Sequence, residues 1–290
     1  MKAVSGTIDR LRLDLDSQSA VAWTLRVGAF MCFVGHGAFG ILTKRAWLPY
    51  FAVANIGPDA AYRLMPIIGS VDIIIGTLSL ICPIPAVVGW MTLWAVWTAL
   101  LRPFSGEPIW ESFERAGNYG VPLALLLLLE GRRHLAGLVM RAAPRELDAA
   151  VLRRIRLALT IAVVFLLVGH GMLGLGGKSA QIVNYASVLP ESMAGEFTRI
   201  AGAIEIVFAL IVAIRPGVGV LLFVATWKLG TESLFLSAGA PIWEFIERGG
   251  SYAAPIALAI VTTLTRSRRA PSSSRSSFAG SRRERTAAAQ

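Results

Sequence analysis

The stretch PIWESFERAGNYGVPLA at residues 108–124 returns as PIWEFIERGGSYAAPIA at residues 241–257, with ten identities in seventeen positions. Working outward, GSVD (Gly69 to Asp72) matches GAIE (Gly202 to Glu205) at the same offset of 133, and VGHG around His36 matches VGHG around His170 at an offset of 134. Self-similarity at a fixed spacing marks a duplicated architecture. The chain therefore reads as a tandem duplication with one single-residue length difference between its landmarks.

The sequence between these landmarks is apolar. Of 290 residues, 55% are hydrophobic and 16% charged, with mean hydropathy +0.62; an ordinary globular domain carries about 25% charged residues. This profile excludes a soluble enzyme. A bilayer-spanning helix needs about 20 mostly apolar residues, and eight runs reach that scale: 20–43, 64–82, 84–102, 109–129, 157–175, 197–214, 217–236 and 242–264. Prolines stand in the gaps (Pro58, Pro83, Pro85, Pro103, Pro108, Pro190, Pro216, Pro241), and Cys82-Pro83-Ile84-Pro85 predicts a tight hairpin between spans two and three. Pro122 and Pro255 fall inside spans four and eight, where proline kinks a helix and frees a carbonyl. The expected fold is all-α: a polytopic membrane helical bundle of eight transmembrane helices, built as two parallel four-helix repeats, because an even number of spans per unit preserves orientation. The expected divisions are an N-terminal segment 1–19, a first membrane unit 20–129, an Arg-rich linker 130–156, a second membrane unit 157–265 and a tail 266–290.

The net charge of +10 is carried by two of these segments. The linker holds seven Arg against Glu130, Glu146 and Asp148, and the tail holds seven Arg against Glu284. Arg excess in membrane-flanking loops marks the cytoplasmic side, which puts both termini inside, most simply in a bacterial inner (plasma) membrane. The Arg/Ser-rich tail has too little apolar surface to fold and is expected to be disordered near anionic headgroups; no nucleic-acid partner is indicated. Residues 1–19 lack an apolar run followed by a small-residue cleavage site, so no cleavable signal peptide is expected. Cys32 and Cys82 lack any C-x-x-C spacing and read as small core residues. His134 falls in the linker and reads as solvated.

Ionisable residues inside membrane spans are costly and point to function. At 1.5 Å per residue, His36, Asp72, Glu111 and Glu114 all fall in the outer half of the membrane, and His170, Glu205, Glu244 and Glu247 fall at matching depths. Two pseudo-symmetric polar clusters on the outer side are expected, free to merge across the repeat interface. In W-E-x-x-E-R, Glu111, Glu114 and Arg115 share one helix face, as do Glu244, Glu247 and Arg248; a salt-bridged helix start explains one acid per copy and leaves the second over. The glycines flanking each histidine allow a second helix to approach closely. Two histidines at equal depth suit a carbonyl-bonded structural role, axial haem ligation or a metal site with the glutamates, although the E-x-x-H spacing of di-iron bundles is absent. Lys228 and Glu232, four apart in span seven, predict an intramembrane pair, whereas Ala95 and Ala99 occupy the same places in the first unit.

The four-span unit, the first span with Arg26, Gly28, Gly35 and Gly40, and the second span with Gly69, Asp72 and Gly76 resemble the DoxX-like family of small four-helix membrane proteins. Gly202 and Glu205 repeat the second-span pattern, with Ala209 replacing its last glycine. That family includes the small subunit of a thiosulfate:quinone oxidoreductase. The resemblance implies a four-helix fold per half and respiratory redox chemistry with a partner subunit, and of site residues it touches only the second-span acids. Three functional readings follow: a redox-associated component binding a quinone, metal or haem through the His/carboxylate clusters; a small-solute or proton-coupled transporter using the paired carboxylates; and a structural or assembly subunit whose polar residues pair helices.

Overall fold

The computed structural model describes residues 2–129, 135–145 and 147–269. His134, Glu130 and Glu146 of the linker, and the tail from residue 270 onward for which disorder was expected, lie outside the described residues. The described chain is helical. Six helices are long and apolar enough to cross a membrane: α1 (Lys2–Ile41, through its part Ser17–Ile41), α3 (Pro58–Ile81), α4 (Pro85–Phe104), α8 (Ala149–Leu175), α10 (Glu191–Ile214) and α11 (Val218–Ser237). Short helices α2 (Leu48–Val53) and α9 (Ser179–Ala186) follow α1 and α8, and α7 (Leu135–Val139) lies in the linker.

The fourth and eighth apolar runs differ from the continuous spans expected of them. Each is divided at the same place, giving α5 (Trp110–Glu114) and α6 (Ala116–Leu128) in one case and α12 (Ile242–Glu247) and α13 (Gly249–Arg269) in the other. The breaks fall on Arg115 and Arg248, whose ψ angles of 11° and 15° leave the helical region and interrupt the i to i−4 ladder. Helix α8 begins at Ala149, earlier than the apolar run at 157, because Asp148 caps it: its carboxylate accepts from the Ala150 and Val151 amides at 2.7 Å. Those two N–H groups hold the exposed Asp148 carboxyl below its usual range. The linker is pinned to the adjacent helix ends, with Ala142 N–H donating to Pro83 O at 3.0 Å, Arg145 N–H to Leu128 O at 2.7 Å, and the Gln18 amide to Arg145 O at 2.8 Å.

Helices α1, α6, α8 and α13 pack on one another in the centre. Helix α3 lies chiefly on α1, α10 on α8, α4 on α6 and α11 on α13. The burial follows this order: 56% of the apolar window of α1 and of α8 is buried, against 22–33% for α3, α4, α10 and α11. The outer helices thus present rows such as Ile67, Val71 and Ile74, or Leu93 and Trp97, to the surroundings. Exposed apolar rows on long helices are what a lipid solvent requires.

Two glycines fix how the divided runs meet the central helices. A Cβ at Gly35 would lie 2.3 Å from the Glu247 amide nitrogen, and one at Gly169 would lie 2.1 Å from that of Glu114. Only glycine permits backbone to pass that close, so α1 is set against α12, and α8 against α5. Forcing a methyl into such a contact costs roughly 1–3 kcal/mol. Gly35→Ala and Gly169→Ala are therefore expected to lower the melting temperature of the detergent-solubilised protein by several degrees, while Gly219→Ala, which meets nothing within 4 Å, leaves it unchanged or raised.

Candidate functional site

Each histidine is tied to the second-span acid of its own half. His36 Nδ1 lies 2.7 Å from Asp72 Oδ2, and His170 Nδ1 lies 2.6 Å from Glu205 Oε2. The acids of the W-E-x-x-E-R elements do not join the histidine of their own half, whereas Arg115 lines the space at His36 and Arg248 pairs with Glu232 beside His170. The glycine crossings place α12 beside His36 and α5 beside His170, so the ion pairs cross between halves. Lys44 Nζ reaches Glu244 at 2.5 Å, and Lys178 Nζ reaches both Glu111 and Glu114 at 2.9 Å. These lysines stand at the 134-residue offset of the histidines, and that shared position was the sequence signal for them. Arg115 pairs with Glu247 across the halves at 3.1 Å rather than with Glu111 on its own face, whereas Arg248 does hold Glu244, four residues before it, at 2.7 Å.

Behind His170 the interior is filled by charge. Lys228 Nζ stands 2.8 Å from Glu232 and 3.5 Å from Glu205, Arg248 Nε stands 2.8 Å from Glu232, and His170 Nε2 stands 3.8 Å from Glu232. The Trp227 indole N–H donates to Glu205 Oε1 at 2.9 Å. Lys228 is fully buried and Glu232 is 2% exposed. A buried ammonium and carboxylate persist only when each is matched by opposite charge, and removing one partner of such a pair costs about 3–5 kcal/mol.

His36 instead faces a cavity of about 200 Å³. Its walls include Trp47, Tyr50, Phe51 and Trp94, with Arg102, Arg115, Asn118 and Glu247 supplying polar groups. Trp47 stacks on the His36 ring at 4.5 Å between centroids. The Tyr50 hydroxyl donates to Glu107 at 2.5 Å, Arg102 binds Glu107 at 3.0 Å and Glu111 at 3.3 Å, and burial pushes the Tyr50 phenol up to about 12, so it stays protonated at neutral pH. Two donors at this cavity are left over: Trp94 Nε1 and Arg115 Nε are buried without a hydrogen-bond partner. Buried donors are ordinarily satisfied, so their pairing is a question the cavity poses. Trp47, Tyr50, Trp94 and Arg102 carried no signal in the sequence beyond being aromatic or basic in an apolar chain, since their grouping arises only when α2, α4 and α1 meet.

Among the described residues, no three of His, Cys, Asp and Glu converge as a metal-ion site. Glu111 and Glu114, of which the helix-start reading left one over, are both met by Lys178, and Glu111 by Arg102 as well. Lys178 is 23% exposed, which softens its loss relative to a fully buried partner. Lys178→Met is expected to destabilise the protein by about 2 kcal/mol, and adding Glu114→Gln to that variant recovers part of the loss in a double-mutant cycle of melting temperatures. A variant as stable as the parent would show that the crossed pairs do not hold the halves together.

Compared with protein-family models, with curated proteins and with solved structures, the chain matches none, and its function is argued from this geometry.

Proposed function

We propose that this multi-pass membrane protein is two fused four-helix units in parallel orientation, and that the cavity at His36 binds the head group of a lipid-soluble, quinone-class molecule. The divided runs α5–α6 and α12–α13 count as the fourth and eighth spans in this reading. Support for the two units comes from contacts that recur at the repeat offset: His36 with Asp72 and His170 with Glu205, Lys44 with Glu244 and Lys178 with Glu111, and the mutual approach of Gly117 and Gly250. The arginine-rich linker and tail orient both termini to the cytoplasm of a bacterial inner membrane by the positive-inside rule.

The observation that carries the ligand is an imidazole–carboxylate pair opening on an aromatic cavity. About 150 Å³ of apolar cavity accommodates a benzene ring, so about 200 Å³ takes one substituted ring. The cavity lies between α3, which packs on α1, and α4, which packs on α6. Its wall includes Trp97, which is 44% exposed on the outer surface of α4. A lipid-soluble molecule thus has a lateral route from the bilayer, and its tail has a place to remain. Asp72 fixes the tautomer and ring orientation of His36 through Nδ1, which turns Nε2 into the nitrogen that gives or takes a proton at the head group. The resemblance to DoxX-like proteins adds a respiratory setting, with electrons handled by a redox partner subunit. The second half, with its interior filled by charge, is a structural counterpart.

Three tryptophans line the cavity, so occupancy reports itself. A benzoquinone bearing a decyl chain is expected to quench the intrinsic fluorescence of the purified protein saturably, and Asp72→Asn is expected to weaken that binding about tenfold by releasing the orientation of His36. Quenching that rises linearly without saturation would overturn the reading.

A further inference from the structure

The second half of the chain holds, at the place corresponding to the cavity, side chains of its own. Positions 133 apart pair Trp94 with Trp227, Ala95 with Lys228, Ala99 with Glu232 and Arg115 with Arg248. In the second half the Glu232 carboxylate lies 2.8 Å from Arg248 Nε and 3.8 Å from His170 Nε2, and Trp227 donates to Glu205. In the first half, alanines stand in place of Lys228 and Glu232, and Asp72 is one methylene shorter than Glu205. Correspondingly, Arg115 Nε and Trp94 Nε1 are buried without partners, and His36 Nε2 has no hydrogen-bond partner among the described residues. Arg115 Nε and Trp94 Nε1 correspond to donors that lie 2.8 Å and 2.9 Å from carboxylate oxygens in the other half, and His36 Nε2 to a ring nitrogen 3.8 Å from one.

We infer that Glu232 is a built-in surrogate for the ligand, and that the ligand of the first half presents a neutral carbonyl oxygen between Arg115 Nε and His36 Nε2. This rests on the reading of the cavity as a ligand site and deepens it. Neutrality follows from the charges. Glu232 arrives with Lys228, a pair of zero net charge, and Ala95 and Ala99 remove both members together. Arg115 is already matched by Glu247 and His36 by Asp72. A carboxylate ligand would add a negative charge to the first half with no cation left to meet it, whereas a carbonyl adds an acceptor and no charge. One chain therefore takes one ligand, because the second site is permanently occupied from within.

The test is the stoichiometry and affinity of the decyl-chain benzoquinone on the full-length protein, measured by equilibrium binding in detergent or nanodiscs, with decanoic acid as the carboxylate competitor. The parent protein is expected to bind one equivalent that decanoic acid does not displace. Installing the surrogate, Ala95→Lys with Ala99→Glu, is expected to raise the Kd by about tenfold or more, and removing it, Lys228→Ala with Glu232→Ala, to add a second equivalent. Should the latter variant fail to fold, the former decides alone. No saturable binding to the parent protein would overturn the quinone-site reading itself. Saturable parental binding that survives Ala95→Lys with Ala99→Glu at unchanged Kd, or that decanoic acid displaces, would overturn this inference and leave that reading standing.

Discussion

The crossing of α1 over α12 at Gly35, and of α8 over α5 at Gly169, is the constraint from which the rest of the interior follows. At 2.3 Å and 2.1 Å from a would-be Cβ to an amide nitrogen, neither position admits any side chain. With α12 and α5 held there, the acids of each W-E-x-x-E-R element lie beside the histidine helix of the opposite half. Lys44 and Lys178 of that half meet them, beside Arg248 on Glu244 and Arg102 on Glu111 from their own half. Pairs such as Lys178 with Glu114 and Arg115 with Glu247, which join the two halves of the chain, could not be pulled apart without stranding carboxylates in an apolar medium, where each unpaired ion is several kcal/mol uphill.

Much of this was legible in residue order. The apolar runs give the helices, and the repeated VGHG and PIWE segments announce that whatever surrounds one histidine has an equivalent at the other. Depth counting put His36, Asp72, Glu111 and Glu114 in the outer half, and His170, Glu205, Glu244 and Glu247 at matching depths. What depth cannot say is which neighbour sits beside which at a given level, since azimuth around a bundle is set by tertiary packing. The glycines flanking each histidine signalled a close approach without naming the partner, so the exchange of the acidic elements stayed hidden. The division of spans four and eight was hidden for a related reason. Arg115 and Arg248 sit at backbone angles that serve the meeting of Gly117 with Gly250, a long-range contact that no local propensity encodes. The cavity was hidden altogether, because it is made of what the alanines at 95 and 99 leave out.

The two halves, alike in sequence at offsets of 133 and 134, differ in how their interiors are filled. A buried polar cluster is stable when its groups are matched. The second half sets Lys228 beside Glu205 and Glu232, and Arg248 beside Glu232, at ion-pair distance, although Lys228 Nζ and Glu232 Oε2 make no hydrogen bond there. The first half keeps the histidine, the acid, the arginine and the tryptophan but lacks the residues that would complete their bonding, while Trp47 and Tyr50 build an aromatic wall around the space. Unsatisfied donors in a folded protein persist when something offsets them.

The charge balance of the whole network adds a further step. The ion-paired groups comprise eight carboxylates (Asp72, Glu107, Glu111, Glu114, Glu205, Glu232, Glu244 and Glu247) against six lysines and arginines (Lys44, Arg102, Arg115, Lys178, Lys228 and Arg248), together with His36 and His170. With both imidazoles protonated the set is neutral; with both neutral it carries two negative charges in a largely buried region. His170 lies between two carboxylates, with Glu205 2.6 Å from Nδ1 and Glu232 3.8 Å from Nε2. His36 has Asp72 at Nδ1, 2.7 Å away, and faces the cavity. The two histidines thus share one carboxylate contact and differ in the second neighbour, which is a carboxylate at His170 and a cavity at His36.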